Sequence, residues 1–321
     1  MARKTYQEIV TKQTMNRVKA PSMPFDWSIN PYRGCTHGCS FCYARPTHTF
    51  LGMHADDTFQ NHILLKTNAA QALEEQLAKM AKRQRGDLEA VARQVGLVAI
   101  GTATDPYQPV EAKAQLTREC LKVLARYRIP ATITTRSPLI LRDLDVLRSM
   151  RITSINISVN TVNAELCRRL EPASPHPAKR LETVARLVEN GLPAGIFIAP
   201  ILPFLTDSAS ELEALIVQAK EHGARFAMPS VLRLVPEVKA WYVKALREHF
   251  PAHVPDTLAL YRSAYPPEAY AETLGMRVRA LLARYGLPTG ITPPDWPKHE
   301  PGAIMPEHRP EEGEQLSFSF D

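Results

Sequence analysis

The chain has 321 residues, with 39 Lys+Arg against 33 Asp+Glu for a formal charge of +6, and 45% of its residues are hydrophobic. That balance excludes disorder throughout and leaves apolar surface for a sizeable core, in two domains or in one large barrel. The longest apolar stretch, residues 194–205, is too short for a bilayer and is broken by Pro200 and Pro203, and five cysteines cannot all pair, so a cytoplasmic protein with no membrane helix is expected.

Residues 1–25 read as a basic N-terminal extension, with Arg3, Lys4, Lys12, Arg17 and Lys19 against Glu8. From there, short β-branched runs alternate with amphipathic ones. Strands are expected at 27–32, 97–103, 131–135, 154–160, 195–201 and 225–232. Between them Leu73, Leu77, Met80 and Ala81 form one helical stripe, and Leu116, Cys120, Val123, Leu124 and Tyr127 form another, both facing the sheet. Ser208 with Glu211 makes a capping box that opens a further helix, which carries Leu212, Leu215, Ile216 and Ala219 inward and stops at Gly223. Six β-α units result, the pattern of an α/β protein with a parallel sheet over residues 26–235.

Beyond residue 235 only helical patterns remain, near 237–250 and 268–285, so residues 236–294 read as a helical C-terminal extension. Residues 295–321 carry seven acids and two bases and read as an acidic flexible tail. Without that tail the body carries +11.

The most informative segment is Arg33-Gly-Cys-Thr-His-Gly-Cys-Ser-Phe-Cys-Tyr43, which sets Cys35, Cys39 and Cys42 at spacings of four and three directly after the first strand. A structural zinc takes four protein ligands, so a zinc reading has to recruit His37, His48 or a remote cysteine. An iron-sulfur cube held by three thiolates keeps one iron open to an outside ligand. Both readings fit the spacing.

Cys35, Cys39 and Cys42, with Phe41 before the third cysteine, resemble the cluster loop of the radical S-adenosylmethionine (radical SAM) superfamily. The resemblance implies a [4Fe-4S] cluster whose open iron is chelated by the amino and carboxylate groups of S-adenosyl-L-methionine. One-electron cleavage then yields methionine and a 5′-deoxyadenosyl radical that takes hydrogen from substrate, with an electron donor such as flavodoxin or ferredoxin. It also implies a partial (β/α)6 TIM-type barrel with the cluster loop at its C-terminal mouth.

The runs Asn30-Pro-Tyr-Arg-Gly-Cys35, Gly101-Thr-Ala-Thr-Asp-Pro-Tyr-Gln108, Ser158-Val-Asn160, Leu170-Glu-Pro172 and Gly195-Ile-Phe-Ile-Ala-Pro200 are similar to the spore photoproduct lyase group, the DNA repair photolyase-like radical enzymes. By motif position, that likeness places Thr104 and Asp105 near the cofactor's amino group and Arg136 at its carboxylate. Ser158 and Asn160 fall at carboxylate or ribose, and Ile198 to Pro200 beside adenine.

Two departures stand out. Where the lyase has a hydrogen-returning cysteine ahead of the aspartate, this chain reads Thr102-Ala103-Thr104. Where tyrosines flank the third cluster cysteine, Phe41 replaces one and only Tyr43 remains. Tyr43 is therefore the candidate hydrogen relay. Cys167, shortly after the fourth strand, is the other candidate, whereas Cys120 lies on an apolar stripe and reads as core.

The resemblance and the basic body, with Lys79, Lys82, Arg83 and Arg85 at one helix end, point to a nucleic-acid substrate and to repair or base modification. A radical enzyme acting on a peptide or small metabolite is the alternative; a zinc-stabilised nucleic-acid-binding protein without activity is another. The tail segment from Gln315 to Phe320 resembles the short peptide by which bacterial repair and replication proteins dock on the sliding clamp, with folding back onto the body as its competitor.

Overall fold

The computed structural model describes residues 4–290. Its strands are β1 (Thr5–Ile9), β2 (Met15–Arg17), β3 (Trp27–Ile29), β4 (Tyr32–Arg33), β5 (His62–Lys66), β6 (Val98–Ile100), β7 (Ala131–Thr135), β8 (Ile152–Ser158), β9 (Ala194–Ile201) and β10 (Ala227–Val231). Seven form one sheet in the order β10-β9-β8-β7-β6-β3-β2. Within it β3, β6, β7, β8, β9 and β10 are parallel neighbours in chain order, the six-unit α/β arrangement expected.

Side chains alternate across a strand, so the register sorts the sheet into two faces. Ile29 pairs with Ile100, Ile100 with Ile133 and Ile133 with Ile155, a row of isoleucines in register on one face. They are at most 1% exposed and pack with Leu73, Leu77, Leu124, Val184 and Ile216 of the surrounding helices. The opposite face carries Thr132, Thr134, Asn156 and Ser158, linked by hydrogen bonds from Asn156 Nδ2 to Thr132 and Thr134 at 3.2 and 3.3 Å. One face therefore builds the core, and the other is a polar surface suited to a ligand.

The expected helical stripes lie in helices Ala69–Arg83 and Leu116–Arg126. Ser208 caps helix Ala209–Glu221 by accepting from Glu211 N at 3.1 Å, and the chain leaves through Gly223 at φ +73°. The Glu211 carboxylate accepts from Thr161 at 3.3 Å, which ties this helix to the loop after β8.

Four strands lie outside the six expected. The first expected strand splits because Pro31 has no N–H for the ladder. β3 ends at Ile29, and Tyr32–Arg33 turns away to pair antiparallel with β5. The N-terminal residues are built into sheets as well, with β1 parallel to β5 and β2 antiparallel to β3.

In the C-terminal extension, helix Pro236–His249 packs Val238, Tyr242 and Leu246 against Cys39, Phe41, Leu170 and Leu202. Helix Val254–Leu260 follows, and Glu268–Arg284 returns Leu274, Val278 and Leu282 to the main core. No helix among the described residues is long and apolar enough to cross a membrane. The acidic tail and its clamp-like segment lie outside the described residues.

Candidate active site

The three cysteines sit on the loop that follows β4. Gly34 opens it at φ +79°, and a Cβ there would stand 2.7 Å from the Phe59 carbonyl oxygen, so only glycine fits. Cys35 and Cys39 are buried, and Cys42 is partly open. All five cysteines of the chain are free.

The loop is held from every side. Arg45, fully buried, donates to the carbonyls of Gly38, Cys39 and Asp56 and to Gln60, and its guanidinium lies between the rings of Phe59 and Trp241. The Thr104 hydroxyl donates to the Gly34 carbonyl at 2.6 Å, while Gln108 donates to the same carbonyl at 3.2 Å and accepts from Thr36 N at 3.1 Å. From the far side, Ser40 N donates to the Leu170 carbonyl at 2.8 Å.

Asp105 is a junction. It accepts from Tyr107 N at 2.9 Å, the Thr135 hydroxyl at 2.6 Å and Arg136 N at 2.9 Å, and His37 Nε2 lies 3.3 Å away. Burial alone would raise this carboxyl, but the His37 ring and the donated hydrogen bonds outweigh it and hold the group at about 2. Thr104 and Asp105 thus direct their side chains at the cluster loop and at the Arg136 backbone. The Arg136 side chain contacts Cys39 Sγ.

Burial, with Asp105 and Cys42 nearby, pushes the Cys35 thiol up to about 12, and burial lifts Cys39 further despite the Arg136 charge. Three thiols on one braced loop are the donor set of a cube. No group of three or more His, Cys, Asp or Glu side chains among the described residues could hold a metal ion, whereas a cube binds each thiolate through a different iron. On the polar sheet face, Asn156 Oδ1 and Asn160 Oδ1 are buried without a partner, as are Thr36 Oγ1 and Ser40 Oγ in the loop. Buried polar atoms left without partners fit a polar ligand.

Ser158 ends β8 and Asn160 lies two residues beyond it, both buried. Ile198 lies on the other side of the sheet: at 0% exposure it belongs to the sheet-helix core, because it shares the face of Ile196. Its neighbours Phe197 and Ala199 are only partly buried, and so is Pro200. Tyr43 is 49% exposed, with its hydroxyl donating to the Thr102 carbonyl. Cys120 is core, and Cys167, 3% exposed, accepts from Arg180 at 3.2 Å.

Sequence reasoning passed over Arg45 and Arg180, and it carried Gln108 and Glu171 inside motif runs without giving them a role. Arg180 had a legible signal, a charged residue on the apolar stripe of helix Pro177–Glu189 beside Leu181, Val184 and Leu187.

Comparison with known proteins agrees with this geometry. The model of the Radical SAM superfamily matches residues 29–216. An uncharacterized protein of Mycobacterium tuberculosis is 33% identical over 288 residues, covering 88% of this chain and 82% of its own length. One from Methanocaldococcus jannaschii is 28% identical over 200 residues, covering 62% of this chain and 69% of its own. Among solved structures, a spore photoproduct lyase variant with bound AdoMet and dinucleoside spore photoproduct superposes with a TM-score of 0.61 at 13% identity, over 87% of this chain and 78% of that one. At that identity the likeness is one of fold.

Proposed function

This chain belongs to the radical SAM superfamily, and we propose that within it the enzyme abstracts hydrogen from a nucleic-acid substrate, in repair or base modification of the spore photoproduct lyase kind. Family membership sets aside the reading of an inactive zinc protein. With [4Fe-4S] and S-adenosyl-L-methionine bound, and with an external reductant, such an enzyme has a 5′-deoxyadenosyl radical at its disposal.

Cys35, Cys39 and Cys42 are the residues to hold the cluster. In this reading Arg136 offers its guanidinium to the cofactor's carboxylate, and Ser158 and Asn160 meet carboxylate or ribose from the polar sheet face. Thr104 and Asp105 fix the loop and the Arg136 backbone, and through them the place of the amino group. The adenine falls to Phe197, Ala199 and Pro200, with Ile198 behind them in the core. Tyr43 relays hydrogen at the mouth.

The observation that supports a polyanionic substrate is charge. The body without the tail carries +11, and Lys79, Lys82, Arg83 and Arg85 are all exposed at the end of helix Ala69–Arg83. Phosphate contacts release counterions, so affinity for an oligonucleotide should fall at least about tenfold between about 50 and 200 mM salt. Salt-insensitive or absent binding points to a peptide or small metabolite instead. The absence of a thiol at Thr102-Ala103-Thr104 argues for a product other than that of the lyase itself. Five free thiols suit a reducing cytoplasm, with flavodoxin or ferredoxin as reductant. Clamp docking through Gln315 to Phe320 is proposed on its sequence alone; deleting 315–321 should abolish clamp binding and spare iron content.

A further inference from the structure

Glu171, in the run Leu170-Glu171-Pro172, has a side chain only 1% exposed. Three groups meet its Oε2: Arg180 Nη2 at 2.8 Å, Arg136 Nη1 at 3.5 Å and Cys39 Sγ at 3.9 Å. A carboxylate this deep needs a cation, and here two share it.

The two arginines differ in freedom. Arg180 is 1% exposed and bound to the carbonyls of Pro175 at 2.8 Å and Ser158 at 3.1 Å, so backbone fixes it. Arg136 is 16% exposed, and its guanidinium reaches the sulfur of Cys39. Its side-chain contacts to Cys39 and Glu171 share one nitrogen, Nη1, so Glu171 decides where that nitrogen sits.

Charge follows from the same geometry. Among these three side chains, two guanidiniums and one carboxylate sum to a single positive charge beside a cluster ligand, while Asp105, which accepts from Arg136 N, and His37 next to it stay the same in every variant below. Reduction adds one negative charge to the cluster, so each neighbouring positive charge favours the reduced form and each negative charge opposes it.

We propose that Glu171 is a positioning residue that, anchored by Arg180, holds Arg136 at Cys39 and restrains the local charge, thereby setting the reduction potential of the cluster. The inference goes beyond the nucleic-acid reading. It depends on the cluster and is indifferent to the substrate.

The test is a redox titration of the reconstituted holoprotein, followed by electron paramagnetic resonance, alongside iron content. Glu171→Gln leaves two positive charges and should raise the reduced-to-oxidised ratio at a fixed poise about tenfold, a midpoint shift of about +59 mV for one electron. Arg180→Gln leaves none and should move the midpoint down. Glu171→Asp keeps the charge and should move the midpoint by less than Glu171→Gln does.

A Glu171→Gln midpoint that is unchanged or lower overturns the proposal, as do two shifts of the same sign for Glu171→Gln and Arg180→Gln. Loss of iron in Glu171→Gln overturns it too, since Glu171 would then serve the fold. If Arg180→Gln does not fold, the Glu171→Gln and Glu171→Asp pair still decides.

Discussion

The Arg45 guanidinium lies 4.5 Å from the ring centroid of Trp241, so the cluster loop and helix Pro236–His249 share one cation-aromatic contact. Arg45 also carries the Cys39 carbonyl, which makes the extension part of the loop's support. Removing the indole leaves a buried cation short of a partner. Trp241→Ala should therefore lower stability by about 2–4 kcal/mol and release iron from the reconstituted protein. Thermal unfolding and iron analysis read both; a full iron complement in Trp241→Ala would separate the extension from the loop.

Gly34 and Gly52 test backbone strain against space. Both have positive φ, +79° and +70°, but a Cβ at Gly34 meets the carbonyl oxygens of Phe59 and His62 at 2.7 and 2.9 Å, whereas at Gly52 nothing lies within 4 Å. Gly52→Ala should cost only the left-handed penalty, about 1 kcal/mol. Gly34→Ala must also move backbone, so it should cost several times more and lose iron. Equal midpoints in urea would contradict the clash.

Thiol chemistry divides the five cysteines. Cys35→Ala, Cys39→Ala and Cys42→Ala should each give protein deficient in iron and without the brown absorbance of a cluster. Cys120→Ala should keep its iron and lose only about 1–2 kcal/mol, because Cys120 packs in the apolar core. Iron loss in Cys120→Ala, or none in the loop variants, would reject the ligand set.

Asp105 predicts a pH dependence. Its folded value of about 2 lies below the ordinary 3.8 even though burial pulls the other way. A depressed carboxyl contributes stability that is complete above the unfolded value and fades as pH falls from 3.8 towards 2. The difference corresponds to about 2 kcal/mol. Asp105→Asn should thus be less stable than wild type by about that much near neutrality, with the gap closing below about pH 4. Urea titrations across that range check it, and a gap that ignores pH would sink the assignment.

The parallel core was legible because its strands are buried and β-branched: the expected 131–135 strand is β7 residue for residue. β1 was hidden because four of its five residues are exposed and its partner β5 is more than fifty residues away, so no local periodicity marks it. The three loop cysteines announced themselves by spacing, but the braces did not. Arg45 reaches Trp241 across nearly two hundred residues, and Glu171, at the end of helix Ala164–Leu170, meets Arg136 only once β7 and β8 are neighbours. Ile198 shows the opposite limit, since a motif position fixes a strand's end but a one-residue step decides which face a side chain joins.

The reaction proposed above has to return hydrogen to its product. The lyase group carries a thiol where this chain has Thr102-Ala103-Thr104, and the two cysteines outside the cluster loop are sealed, Cys120 at 1% exposure and Cys167 at 3% behind Arg180. Tyr43 is half exposed, and its hydroxyl already reaches the carbonyl of Thr102, the first residue of that run. Tyr43→Phe deletes the O–H and keeps the ring, so iron content and reductive cleavage to 5′-deoxyadenosine should persist. Conversion of an oligonucleotide substrate should instead drop sharply. In deuterated water the wild-type product should gain solvent deuterium through the phenol, whose phenoxyl radical is then restored by an electron from the external reductant and a proton from solvent. Full conversion by Tyr43→Phe, with the same label in its product, would move the relay to another group.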